Sequence, residues 1–120
     1  MIQRGTKLFV LDNSGAKMVK CIKVFNLTYG ICGSIINVVI KKNLLRKKIK
    51  KGMVCKAVIV QTNANLMRFD GLTVKFLKNY VVILKKMENV PLGTRIIGPV
   101  AFELRFFGFL KIVSLAITLI

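Results

Sequence analysis

The chain has 120 residues and a mass of 13.5 kDa, a length that fits one domain, and its apolar fraction of 54% is enough to fill a core. It carries 21 Lys and Arg against 4 Asp and Glu, a formal net charge of +17, and no His. Because general acid–base catalysis then lacks its usual groups, we expect a protein that is not an enzyme, with no catalytic residues, cofactor or metal.

The first quarter of the chain predicts a β-hairpin. An apolar run at residues 7–11 is followed by four turn formers, Asp12, Asn13, Ser14 and Gly15. Residues 17–25 partly alternate lysines with apolar side chains, which predicts a second strand. The uncharged segment 26–33 contains two glycines and is predicted to be a loop.

A dense cationic run follows, between two apolar segments. Residues 34–40 and 54–60 are rich in β-branched side chains and predict strands. Of the eleven residues 41–51, seven are Lys or Arg and none is acidic. A solvated face normally mixes charge signs, and like charges this dense repel unless a polyanion lies beside them. We therefore interpret the run as a projecting ribbon that contacts phosphates, with Leu44, Leu45 and Ile49 packed on its base.

The second half predicts more short strands. Residues 61–69 are polar, Asp70 and Gly71 form a hairpin signal, and residues 72–77 and 80–84 are strand-like. The spacing of Phe102, Phe106 and Phe109 indicates one or two helical turns, and residues 112–120 are expected to be strand or coil. About seven strands without a long helix predict an all-β sandwich or barrel, a single domain over 1–120.

The cysteines and the apolar runs exclude further classes of protein. Cys21, Cys32 and Cys55 are odd in number and lack metal-ligand spacing, so we expect free thiols that pack as small apolar residues. Every apolar run is too short to span a membrane, and no signal or transit sequence is visible. Membrane insertion is not expected.

The excess of positive charge points to a polyanionic partner. Nucleic acid and an anionic membrane surface are the two candidates. The cations are 16 Lys and 5 Arg, which favours contact with phosphates over the reading of bases.

Several blocks of residues together resemble one family. They are Asp12-Asn-Ser-Gly-Ala-Lys17, Cys21-Ile-Lys-Val24, Gly93-Thr-Arg-Ile-Ile-Gly-Pro-Val100, Glu103-Leu-Arg105 and Lys111-Ile-Val-Ser-Leu-Ala116. In this order they resemble the universal large-subunit ribosomal protein L-fourteen family over essentially the whole chain. The segment 57–60, followed by Asp70-Gly71 and Phe76, fits the internal signature of the same family.

The resemblance implies a fold and a set of partners. The fold is a small five-stranded barrel with a protruding basic β-ribbon and short C-terminal helical turns. The partners are large-subunit rRNA, neighbouring large-subunit ribosomal proteins, small-subunit rRNA across an intersubunit bridge, and a ribosome-silencing factor.

The expected rRNA-binding residues combine that resemblance with the charge pattern. Lysines on the strands and ribbon would contact phosphates, the turn at Asn13 and Ser14 would offer amides and a hydroxyl, and the arginines would make forked contacts. The full set is Lys7, Asn13, Ser14, Lys17, Lys20, Lys23, Lys41, Lys42, Arg46, Lys47, Lys48, Lys50, Lys51, Arg68, Arg95, Arg105 and Lys111.

Other roles for these residues stay open. Asn13 and Ser14 could only close a tight turn, and Arg95 could pair with Glu88 or Glu103. Phe76 and Phe102 are expected in the core and not as platforms for base stacking.

Four departures from the family bear on origin. The loop 26–33 lacks the family's basic stretch, only Arg68 remains of the basic residues before Asp70, Phe102 replaces a basic residue, and the acidic ending is missing. The Phe102 change alters the surface on which the silencing factor would dock. With a composition typical of an AT-rich genome, these departures predict a mitochondrial, organelle-encoded member. The cytoplasm of an AT-rich bacterium, or another organelle, is the alternative.

A different function stays open beside this one. The alternative is a free-standing single-strand nucleic-acid-binding barrel protein, which would need exposed aromatic rings for base stacking. Aromatic residues make up 8% of the chain and its Phe residues lie in apolar contexts, which argues against that alternative.

Overall fold

The computed structural model describes residues 2–25, 28–43, 49–86 and 90–120. Seven strands precede two short helical elements. They are β1 (Lys7–Val10), β2 (Ala16–Val24), β3 (Ile35–Asn43), β4 (Val54–Gln61), β5 (Leu66–Met67), β6 (Thr73–Val74), β7 (Tyr80–Ile83), a 3-10 helix (Phe102–Arg105) and α1 (Leu110–Leu115).

Five of the strands form a closed barrel in the order β1-β2-β3-β4-β7. Neighbouring strands pair antiparallel, except β1 and β7, which close the barrel in parallel with Phe9 opposite Tyr80. Closure leaves these apolar strands without free edges. The predicted five-stranded barrel with C-terminal helical turns is confirmed.

The apolar side chains fill two clusters, one on each face of the barrel wall. Inside the barrel, Ile59 and Ile83 pack with residues such as Leu8 and Ile36. On the other face, Val58 and Val82 pack against the C-terminal elements. Strands β4 and β7 are thus buried on both faces, which is why their sequences are continuous apolar runs and do not alternate.

Two predictions about the second half were wrong in detail. Only Thr73–Val74 of the predicted strand 72–77 is a strand, and it pairs with β5 in the polar segment 61–69, to which no strand was assigned. Residues 110–115 form α1, although residues 112–120 were expected to be strand or coil. Burial of Phe109 and Ile112 in the outer cluster outweighs the strand preference of Ile112 and Val113.

The cysteines pack largely as predicted. Cys21 and Cys32 are buried and Cys55 is half-buried, and all three are free. Burial raises the pKa of each thiol, so each stays protonated and poorly reactive near neutral pH.

Candidate nucleic-acid interface

The base of the cationic ribbon is an extension of β3. This strand continues past its predicted end at Ile40, so that Lys41 and Lys42 are exposed on paired backbone. The amide of Gly52 donates to the Ile40 carbonyl at 2.8 Å, which brings Lys50 and Lys51 back beside this strand. Four of the predicted phosphate-binding lysines therefore share the ribbon base.

The packing expected at the ribbon base is confirmed where the structure describes it. Ile49 is 2% exposed and belongs to the cluster inside the barrel, and its carbonyl accepts a hydrogen bond from Asn43 Nδ2 at 2.7 Å. The predicted contacts of Arg46, Lys47 and Lys48, and the packing of Leu44 and Leu45, lie outside the described residues.

A second group of predicted cations lies on β1 and β2. Lys7 and Lys20 are directly opposite one another, and Lys17 and Lys23 are exposed further along β2. Like charges directly opposite across a strand pair are unfavourable, unless an anion lies between them. Contact of Lys7 and Lys20 with a phosphate stays a prediction.

The turn after β1 has a structural role of its own. Asn13 Oδ1 accepts hydrogen bonds from the amides of Thr94 and Arg95 at 2.8 and 3.0 Å, and Asn13 Nδ2 donates to the Thr94 hydroxyl. The Ser14 hydroxyl donates to Asp12 Oδ1 at 2.6 Å. The Asn13 side chain therefore ties the turn to the loop that carries Arg95, whereas the Ser14 side chain closes the turn itself. Contact of either side chain with RNA stays a prediction.

The arginines differ in how the protein uses them. Arg68 Nε lies 2.6 Å from Glu103 Oε1 and Arg68 Nη2 lies 3.1 Å from Oε2, a forked ion pair. Glu103 thus pairs with Arg68 and not with Arg95, while Glu88, the other expected partner, lies outside the described residues. Arg95 is exposed, and the Arg105 guanidinium lies 5.4 Å from the centre of the Phe102 ring.

A comparison with protein families shows which family the chain belongs to. The model of the family described as Ribosomal protein L14p/L23e matches residues 1–120. The chain belongs to this family. As a member of the ribosomal protein L14p/L23e family, it is a structural constituent of the large ribosomal subunit that binds rRNA and neighbouring ribosomal proteins, and the family is structural and not enzymatic.

The described carboxylates leave the cations of this ribosomal protein largely uncompensated. Asp12 is buried beneath the turn, Glu103 is paired with Arg68, and Asp70 is exposed on the hairpin between β5 and β6. Across residues 2–25, 28–43, 49–86 and 90–120, the Arg68–Glu103 contact is the one ion pair between side chains. Acidic side chains of the described residues therefore leave most of the positive charge without an ion-pair partner.

The described part of the chain offers little for other classes of site. It holds no group of three or more His, Cys, Asp or Glu side chains that could bind a metal ion. None of its helices is long and apolar enough to cross a membrane.

Several solvent-accessible residues were not singled out from the sequence. Phe69 is fully exposed and Phe106 and Phe107 are more than half exposed, although the Phe residues were expected in apolar contexts. Phe76 and Phe102 are half-buried, so the expectation that they lie in the core holds only in part. Lys56, in the middle of an apolar strand, gave no sequence signal because a lone lysine there is ordinarily a solvated residue.

Proposed function

We propose that the exposed lysines of β1, β2 and the ribbon base hold this protein on large-subunit rRNA through phosphate contacts. The observation that supports this most directly is the placement of Lys41, Lys42, Lys50 and Lys51 together on the ribbon base of a chain that belongs to a ribosomal family. Each neutralised phosphate releases counterion, so binding should weaken steeply as the salt concentration rises.

A charge-matched pair of variants tests the location of these contacts. Replacing Lys41, Lys42, Lys50 and Lys51 by Gln should reduce the slope of log K against log salt by up to about one unit per lost phosphate contact. The control replaces Lys75, Lys78, Lys85 and Lys86, four exposed lysines outside the predicted set, and removes the same charge. An equal loss of slope in both variants would place the ribbon base outside any specific interface.

We further propose that the protein lies at the subunit interface and contributes to a bridge with small-subunit rRNA, in the mitochondrial ribosome. The proposal rests on membership of the family and on two departures from it. The loop 26–33 lacks the family's basic stretch, and Phe102 replaces a basic residue. Phe102, whose ring lies beside the Arg105 guanidinium, would also alter the surface offered to a ribosome-silencing factor.

Sedimentation of a native extract tests this placement. The chain should travel with the large subunit through a gradient at moderate and at high salt, and the sequence of the co-purifying rRNA should be mitochondrial. Bacterial or plastid rRNA would contradict the mitochondrial origin, while recovery at the top of the gradient would contradict integration into the subunit.

A further inference from the structure

A cleft with two aromatic walls lies beside the start of β3, away from the ribbon. Its volume is about 450 Å³, and Phe25 and Phe107 form two of its walls. Phe25 lies in the first quarter of the chain and Phe107 near its end, and both line the cleft because the C-terminal segment packs on the barrel. The cleft is not accounted for by the phosphate contacts proposed above.

The wall made by Phe107 is held by Gly33. This glycine has φ +92°, and a Cβ there would collide with the Phe107 ring, so the ring lies directly on the backbone. The Gly33 amide donates to the Ile59 carbonyl at 2.8 Å, which ties this backbone to the barrel. The Phe107 ring is therefore packed against the Gly33 backbone on one side, although 55% of the residue's surface is exposed.

Two cations lie over the Phe25 ring of the other wall, Lys56 from the lining of the cleft and Lys23 from beside it. Lys23, Asn37 and Lys56 lie in one row across β2, β3 and β4. From this row the Lys23 and Lys56 ammonium groups lie 5.4 and 6.0 Å from the centre of the Phe25 ring. Two ammonium groups drawn to one ring repel each other, and none of the described residues lining the cleft is acidic. An anion from outside the chain would relieve this repulsion.

The backbone of the cleft is already hydrogen-bonded. The Ser34 amide donates to the Ile31 carbonyl at 3.0 Å, and the Ser34 carbonyl accepts from Ile59 at 3.1 Å. The Ser34 hydroxyl oxygen accepts a hydrogen bond from the Ile31 amide. The cleft therefore offers ring faces and positive charge, with few groups left to read the edge of a base.

We propose that this cleft binds one unpaired RNA nucleotide, whose phosphate draws the Lys23 and Lys56 ammonium groups off the Phe25 ring while its base stacks on the ring face that they leave. The proposal rests on the rRNA binding described above and adds a site for a single-stranded nucleotide. Stacking tolerates any base, because each has a π-face. We expect the site to prefer nucleotides with a base over abasic ones, with little preference among the four bases.

Two RNA probes of equal charge isolate the stacking contribution. Binding of the full chain to fluorescein-labelled hexauridylate is compared with binding to an abasic hexamer with the same phosphates. The unaltered protein should bind hexauridylate about tenfold more tightly, the size expected when one base stacks on an aromatic ring. Both hexamers should show the same salt slope, since they present the same phosphates.

Matched variants assign that preference to the cleft. Phe25→Leu keeps an apolar side chain and both lysines, and should lose the preference for hexauridylate without a change in salt slope. Phe107→Leu, at a more exposed position, should weaken it as well and serves if Phe25→Leu fails to fold. Phe69→Leu is the control, the same substitution at an exposed ring outside the cleft, and should keep the preference.

Three results would overturn the assignment. They are equal binding of the two hexamers by the unaltered protein, an equal loss in Phe69→Leu and Phe25→Leu, and a photo-crosslink from p-benzoylphenylalanine at position 107 to a protein in assembled large subunits. A crosslink from that position to rRNA would support it. Absence of salt-dependent binding to either hexamer would instead count against RNA binding by the isolated chain, and with it the cleft.

Discussion

At the scale of single residues, Asp12 was predicted as a turn former and is a buried carboxylate that connects the turn to β7 through a hydrogen bond. Its Oδ1 accepts from the Ser14 amide and hydroxyl, and its Oδ2 accepts from the Ile83 amide at 3.2 Å. Burial raises the pKa of this carboxyl, and the hydrogen bonds from Ser14 and Ile83 only partly oppose that effect. The carboxylate holds the turn against β7 but leaves a charge in a poorly solvated place.

This burial gives Asp12 a predictable dependence on pH. Because its pKa is higher in the folded than in the unfolded state, its favourable contribution is complete below about pH 4 and is lost as the pH rises through the folded-state pKa. The free energy of unfolding of the unaltered protein should therefore fall relative to Asp12→Asn as the pH rises from about 4 through the folded-state pKa. Urea denaturation at a series of pH values measures the difference.

Asp70→Asn is the control for this series, since Asp70 is an exposed carboxylate on the hairpin. A relative gain of the unaltered protein over Asp12→Asn with rising pH would contradict the prediction. It would mean that the hydrogen bonds to the carboxylate outweigh its loss of solvation.

At the scale of elements, one ion pair joins the β5–β6 hairpin to the C-terminal segment. Arg68 lies directly after β5, and Glu103 lies in the 3-10 helix. Arg68 Nη2 also donates to the backbone oxygen of Ile120. One guanidinium thus fastens three parts of the chain, and a forked geometry of this kind is among the stronger polar contacts.

We expect Arg68→Lys to lower the free energy of unfolding by about 1 kcal/mol, because lysine cannot reproduce the fork and both partners are about one-fifth exposed. Hydrogen exchange of the Leu66 and Val74 amides should accelerate more than exchange within β4. A double-mutant cycle with Glu103→Gln isolates the pair. A coupling energy near zero would show that the hairpin is held by packing alone.

The elements also show how far sequence reasoning reaches. The barrel strands were predictable because β-branched runs between turn formers are local signals. Helix α1 was not, because Ile112 and Val113 favour strands and only the packing of Phe109 and Ile112 on the barrel overrides that preference. The ribbon lysines were visible in the charge pattern. The cleft lined by Phe25 and Phe107 was not, since packing of the C-terminal segment on the barrel creates it.

At the scale of the whole molecule, the net charge of +17 lowers the stability of the isolated folded chain. Repulsion among cations opposes a compact state, and the described carboxylates do little to offset it because one is buried and another is paired. rRNA would supply the missing counter-charge. The free protein should therefore be less stable than the bound one.

Salt should replace part of that counter-charge. Raising NaCl from about 50 mM to about 500 mM shortens the screening length severalfold, and we expect the Tm of the isolated protein to rise by about 5 °C. Replacing Lys41, Lys42, Lys50 and Lys51 by Gln should make the rise smaller, and differential scanning calorimetry measures both. A Tm that is flat or falls with salt would show that repulsion contributes little.

The parallel pairing of β1 with β7 has a consequence for how the chain reaches its native state. Phe9 and Tyr80 are about 70 residues apart, so a chain emerging during synthesis cannot complete the barrel until most of it has been made. Until then an apolar sheet with two open edges is exposed to other chains. The positive charge that destabilises the folded protein also makes incomplete chains repel one another. This repulsion protects them from aggregation before the barrel closes.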